Sequence, residues 1–162
     1  MSVKQPGDAR AVADIAEGLV IATVEIPSPS ERVFRALASK EIVDWWIRPG
    51  VFDTREWAGD VRVGGTWQSS GLGGGKPYVL EGKFVEVDEP RKLMHTWHLR
   101  GTPGAPTTVT YLVEQRRGVT RVTLRHAGFT SPDGCVNTAM GWETSFTRLA
   151  EIFAPMLVAN SA

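Results

Sequence analysis

Between Val51 and Ala127 the chain runs through six short β-rich segments, 51–57, 66–70, 78–87, 93–99, 107–115 and 120–127, with turn-forming residues at each junction. Gly64-Gly65, the glycine run 71–75, Asp88-Glu89-Pro90, the stretch 101–106 and Arg117-Gly118 supply those turns. Links this short favour antiparallel hairpins over helical crossovers. An earlier segment, Leu19–Ile26, adds a further strand with Val20, Ala22, Val24 and Ile26 on one face. Only one long helical pattern is available to cover such a sheet. Over 137–156 the residues Trp142, Phe146, Leu149, Ile152, Phe153 and Met156 recur at helical spacing, with Glu143, Thr147, Arg148 and Glu151 off that stripe. Pro155 should end or bend this helix. The sheet is therefore expected to curl around the helix, and the two surfaces diverge toward one end.

The remaining elements are short. Pro27-Ser28-Pro29 stops the first strand, and Ser28 or Ser30 caps a helix whose apolar stripe is Val33, Phe34 and Leu37. A second short helix around 41–46 stops before Pro49-Gly50. Residues 1–18 are polar and Ala-rich and read as an N-terminal extension with a short helix at 8–17, ahead of one domain at 19–158. The fold class is α+β: a curved antiparallel sheet of six to seven strands wrapped around a long C-terminal helix, with two short helices after the first strand.

Composition removes several classes of function. Eighteen Lys and Arg balance eighteen Asp and Glu, so no excess cation is available to track phosphates, and no nucleic-acid partner is expected. Cys135 is the single cysteine, which excludes an intramolecular disulfide and any multi-cysteine zinc site and suits a cytoplasmic location. Charges interrupt the first nineteen residues, so no signal peptide is expected. No segment approaches the roughly 18 apolar residues of a membrane span, so membrane insertion is not expected either. Three separated histidines without paired carboxylates argue against a metal, and no cofactor is expected.

Chemistry concentrates in the aromatic residues. Tryptophans at 45, 46, 57, 67, 97 and 142 are an excess for a chain of 162 residues. Each buries roughly 150–250 Å² and keeps one N–H that needs a partner. Leu93, His95 and Trp97 share a strand face, as do Val109, Tyr111 and Val113, and Val122, Leu124 and His126. If those faces meet the helix, they converge with Trp67, Trp142 and Phe146. Such a set either fills a core or lines a hollow one, and Tyr and His tips among indole faces favour a cavity for a ligand with one polar end. Trp46 and Trp45 fall at its entrance, and Trp57 has no assignment.

His95 and His126 could form an acid–base pair, but the stronger reading is two core-edge histidines hydrogen-bonded to backbone or water. The run 71–75 fails as a phosphate loop, because Ser70 replaces the first glycine and Pro77 stands where Ser or Thr would hold magnesium. It reads as a flexible hairpin tip or a mobile loop over the cavity. Asp60 and Arg62 read as a structural ion pair before the Gly64-Gly65 bend, and Gly141 as the point where the helix approaches the sheet closely. Neither Ser145 nor Cys135 has the neighbours of an activated nucleophile.

These residues resemble a known family. Pro29-x-x-x-Val33-Phe34-x-x-Leu37, Trp45-Trp46, Asp60-x-Arg62-x-Gly64-Gly65-x-Trp67 and Gly82-x-Phe84-x-Glu86-Val87 carry the likeness in the first half. Pro90-x-x-Leu93-x-x-Thr96-Trp97, the stretch from Thr120 to Phe129 and Gly141-Trp142-x-x-x-Phe146-x-x-Leu149 complete it. Their order and spacing resemble the SRPBCC (START-like, helix-grip) superfamily, and within it the stand-alone bacterial relatives of the heat-shock-protein-90 ATPase activator homologue. The resemblance implies an apolar cavity between sheet and C-terminal helix. It implies no single activity, because the superfamily includes lipid carriers, cyclases and oxygenase subunits. The expected function is binding of a small apolar or aromatic molecule, with Trp46, Trp67, Trp97, Tyr111, Trp142 and Phe146 as walls and His95 and His126 as polar anchors. The alternatives are a cyclase- or dehydratase-like enzyme using the same cavity, or a stress-response module contacting a chaperone. An open edge strand would also allow a homodimer.

Overall fold

The computed structural model describes residues 9–160, with side chains through Phe153. Residues 1–8 of the expected extension and the side chain of Met156 lie outside the described residues. A curved antiparallel sheet of nine strands forms a half-barrel around one long helix. In chain order the strands are β1 (Arg10–Asp14), β2 (Leu19–Ile26), β3 (Ile47–Arg48), β4 (Phe52–Gly59), β5 (Thr66–Gly73), β6 (Lys76–Asp88), β7 (Lys92–Leu99), β8 (Thr107–Arg116) and β9 (Val119–Ala127). The helices are α1 (Ser30–Leu37), α2 (Ile42–Trp45) and α3 (Pro132–Asn160). None of the helices is long and apolar enough to cross a membrane.

The spatial order β1-β2-β9-β8-β7-β6-β5-β4-β3 follows from turn length. After the β1–β2 hairpin, α1 and α2 carry the chain to the far edge, and it returns hairpin by hairpin until β9 lies beside β2. The alternating faces fall as the sequence predicts. Val20, Ala22, Val24 and Ile26 are buried together, as are Val109, Tyr111 and Val113, and Val122, Leu124 and His126.

Several expectations need correction. The strand count is nine rather than six to seven, because β1 and β3 were not expected. The short helix expected at 8–17 is replaced over 10–14 by β1, whose residues pair with β2 in the register Arg10↔Thr23 to Asp14↔Leu19. Ladder bonds to a formed neighbour outweigh the weak helical preference of an Ala-rich run. The glycine run forms a hairpin tip, one of its two expected readings, but with a shorter turn than the run itself. Strand β5 continues to Gly73, Gly73 faces Lys76, and only Gly74 and Gly75 turn, both with positive φ (58° and 82°), which suits a two-residue hairpin. Finally, Pro155 does not end α3, which runs on to Asn160, and Ile152 is exposed rather than part of the buried stripe.

The helix starts repay a closer look. Helix α1 is preceded by Pro29 and has no side-chain cap from Ser28 or Ser30; instead the Ser30 N–H donates to Gln115 Oε1 of β8 at 2.8 Å. Helix α3 begins with Ser131 accepting from the Gly134 N–H, followed by Pro132 in its first turn and Asp133 beside the positive helix end.

Helix α3 makes its main backbone approaches to β1, β2, β3 and α2, that is, to both edges of the sheet. Between those edges the space is bridged by large side chains. Trp45 is fully buried and donates its Nε1–H to the Ala36 carbonyl at 2.9 Å, tying α2 to α1. It therefore belongs to the core and not to an entrance. Trp57 is buried on β4.

Glycines distinguish the tight places from the roomy one. A Cβ on Gly82 would overlap the Thr96 carbonyl oxygen and Trp67 Nε1, whereas one on Gly141 would only touch the Phe52 ring at 3.5 Å. The close approach of helix to sheet expected at Gly141 is therefore only ordinary contact, and the overlap at Gly82 lies within the sheet. Gly82→Ala should lower unfolding stability by about 1–3 kcal/mol, and Gly141→Ala should hold or raise it by about 0.5–1 kcal/mol through helix propensity. Urea unfolding of the two variants checks this, and equal losses would contradict it.

Candidate functional site

The indoles and imidazoles form one continuous ring cluster. Trp46 is at its centre, with ring centroids 5.1 Å from Trp97, 5.7 Å from Trp67, 5.9 Å from Trp45 and 6.2 Å from Trp142. Trp142 continues it to Trp97 (5.6 Å), Phe146 (5.7 Å) and Tyr111 (6.0 Å). Edge-on and tilted pairs of this kind add about 0.5–1.5 kcal/mol each beyond area burial.

The cluster has a filled part and an open part. Trp67, His95, Tyr111, His126 and Phe146 are buried in the interior beneath Trp46 and Trp142. Beside them a cleft of about 670 Å³ opens between the first half of α3 and the ends of β3, β4, β6 and β7. Of the eight residues expected to bind ligand, Trp46, Trp97 and Trp142 line this cleft; the other five do not. Trp46 forms its floor.

The sequence reading missed the rest of the lining: Arg48, Val51, Phe52, Thr54, Tyr78, Leu80, Leu99, Asn137, Thr138 and Ser145. Part of the signal was present. Leu99 continues the alternation Leu93, His95, Trp97, and Tyr78 and Leu80 share the face of buried Phe84. Thr138, Gly141 and Ser145 recur at helical spacing along one flank of α3. Small residues there leave room that an apolar stripe would have filled.

Polar atoms inside the cluster are mostly spoken for. Trp142 Nε1–H donates to His126 Nδ1 at 3.0 Å, so the proton of a neutral ring sits on Nε2, which donates to Thr107 Oγ1 at 2.7 Å. The Thr107 hydroxyl donates in turn to the Trp97 carbonyl at 3.3 Å. His95 Nδ1–H donates to the Thr96 carbonyl at 2.9 Å, an oxygen shared with Trp67 Nε1–H at 3.1 Å. No hydrogen bond joins the two histidines; the Trp97 ring lies beside both, at 6.3 Å and 5.2 Å. Trp46 Nε1 and Tyr111 Oη lack a partner with hydrogen-bond geometry, although the indole is near enough to ease the phenol's burial. Burial dominates, and it raises the Tyr111 phenol far above its ordinary value. In the cleft wall, Thr54 Oγ1 and Tyr78 Oη are 2.9 Å apart.

Burial also lowers His95 to about 4, against a partial lift from the Thr96 carbonyl, and lowers His126 to about 3, helped by nearby His95. Both rings are neutral at pH 7. Unfolding raises each toward the ordinary 6.5, so their contribution is full above that pH and is lost as pH falls toward about 4 and about 3. From pH 7 to pH 5 the loss should be roughly 2 kcal/mol per histidine. Urea unfolding across that range measures it, and His126→Gln, which keeps an acceptor for Trp142, should remove about half of the histidine part of the slope. A stability that stays flat over the range would mean that the rings are not buried neutral.

Comparison with known proteins agrees with this architecture. Protein Ms6760 from Mycobacterium smegmatis superposes with a TM-score of 0.75 at 18% identity, covering 88% of this chain and 94% of that one. The AHSA1 protein from Silicibacter pomeroyi gives a TM-score of 0.70 at 23% identity, over 85% of this chain and 99% of that one. CalU16 from Micromonospora echinospora gives 0.62 at 21%, over 93% and 87%. At such identities the likeness speaks for the fold alone. No curated protein matches the chain in sequence. The model of one family matches residues 27–154, most of the chain, from just before α1 into α3. The chain thus belongs to the family described as Activator of Hsp90 ATPase homolog 1-like protein, within the SRPBCC-type fold.

Proposed function

We propose that this chain binds small apolar, ring-containing molecules in the cleft between α3 and the open end of the sheet. One observation carries the reading. Half-buried Trp97 and the edges of Trp46 and Trp142, whose rings are otherwise buried, line a space of about 670 Å³. Apolar surface held at a concave site gains about 25 cal/mol per Å² when a ligand covers it. The polar rim of Thr54, Tyr78, Asn137, Thr138 and Ser145 would orient the ligand. A cytoplasmic setting fits the buried free thiol of Cys135. An enzymatic use of His95 and His126 draws no support from the geometry, since both rings are tied to Thr96, Thr107 and Trp142 below the cleft.

N-phenylnaphthylamine, an uncharged fluorophore that brightens in apolar sites, is a direct probe. Wild-type protein should enhance its emission saturably, with quenching of tryptophan fluorescence. Thr138→Phe places a ring into the cleft from the helix flank without touching the core. It should weaken binding at least about tenfold, the equivalent of about 1.4 kcal/mol, while melting within a few degrees of wild type. Undiminished binding by a folded Thr138→Phe protein would remove the cleft as the site.

A further inference from the structure

Among the side chains that line the cleft, only Arg48 carries a formal charge. It is half-buried on the two-residue strand β3, held there by the turn in which the Val51 N–H donates to the Arg48 carbonyl. Among the described residues it has no ion pair, whereas Arg55, Arg62 and Arg100 each hold a carboxylate. Asp53 stands on the neighbouring strand opposite Ile47, yet its carboxylate is taken by Arg55 at 3.2 Å. A guanidinium partly withdrawn from water and left without a counter-ion favours an anion beside it.

A second donor lines the same space. Thr54 and Tyr78 share one hydrogen bond between two hydroxyls, so whichever oxygen accepts keeps its own proton for a third partner. Beneath these groups lie the three indoles. The combination defines a ligand with an apolar body and a single acidic end. One cation balances a monoanion, and the planar guanidinium fork matches the two oxygens of a carboxylate.

We propose that the cleft selects ring-containing carboxylic acids, with the carboxylate on Arg48 and the apolar body against Trp46, Trp97 and Trp142. This rests on the ligand-binding reading above and adds the charge of the ligand to it.

Calorimetric titration of naphthoate and of naphthamide, its uncharged counterpart, tests the inference on wild type, Arg48→Gln and Arg48→Lys, with N-phenylnaphthylamine as the neutral reference. Wild type should bind naphthoate about tenfold or more tightly than the amide, as a charge-assisted contact implies. Arg48→Gln should abolish that preference, and Arg48→Lys should retain part of it. Equal binding of acid and amide by wild type that still binds the reference overturns the charge inference alone. So does an acid preference that survives in Arg48→Gln. If wild type binds neither the acid, the amide nor the reference, both readings fall. Should Arg48→Gln not fold, the wild-type comparison of acid with amide still decides.

Discussion

Everything in this structure depends on how a curved sheet and one long helix are kept apart. Helix α3 comes close to the sheet at its edges, on β1, β2 and β3, while the central strands curve away from it. Aliphatic side chains do not reach across such a gap. Indoles do, and Trp46, Trp67, Trp97 and Trp142 meet there with centroids between 5.1 and 6.2 Å apart along the cluster. Rings of that size bring N–H groups into the interior, and each needs an acceptor that costs little to bury. The Thr96 carbonyl accepts from Trp67, the neutral ring of His126 from Trp142 and the Ala36 carbonyl from neighbouring Trp45, while the Trp46 N–H is left without an acceptor.

The cleft is where this filling stops. On α3 the ridge of Trp142, Phe146, Leu149 and Phe153 plugs the interior. The flank beside it carries Thr138, Gly141 and Ser145, too small to reach β4 and β6. Room for a ligand thus results from a change of side-chain size along one helix and requires no special backbone. A Cβ at Gly141 accordingly finds only ordinary contact, with the Phe52 ring at 3.5 Å.

Much of this was legible in the sequence, for a physical reason. Period-two burial is a local property, so the inward faces of β2, β7, β8 and β9 could be read residue by residue. Strand β1 could not, because Arg-Ala-Val-Ala-Asp has no strand preference of its own and takes its form from pairing with β2. Strand β3, with two residues, is too short to show any period. The glycine run was legible as a hairpin tip, but not that β5 continues through Gly71 to Gly73, because sequence does not reveal that Gly71 sits so close to Asp53 that a Cβ would overlap its carbonyl oxygen. The expected binding residues were chosen for being large and aromatic, which selects for the filled part of the core. Five of the eight lie there. The walls of the open part include Thr, Ser, Asn and Gly, residues that a search for apolar stripes passes over.

Buried neutrality links the core to the chemistry of the cleft. Had His95 or His126 carried a proton at pH 7, a second cation would stand beneath the floor and the field at the cleft would not be set by Arg48 alone. Burial excludes that charge, and the hydrogen bond from Trp142 enforces it at His126, since a bare Nδ1 is needed to accept the indole N–H. The desolvation that lowers both imidazoles is therefore the same condition that leaves Arg48 as the one formal charge among the described residues lining the cleft. Stability and the charge of the cleft depend here on a single physical circumstance, the dryness of the aromatic cluster.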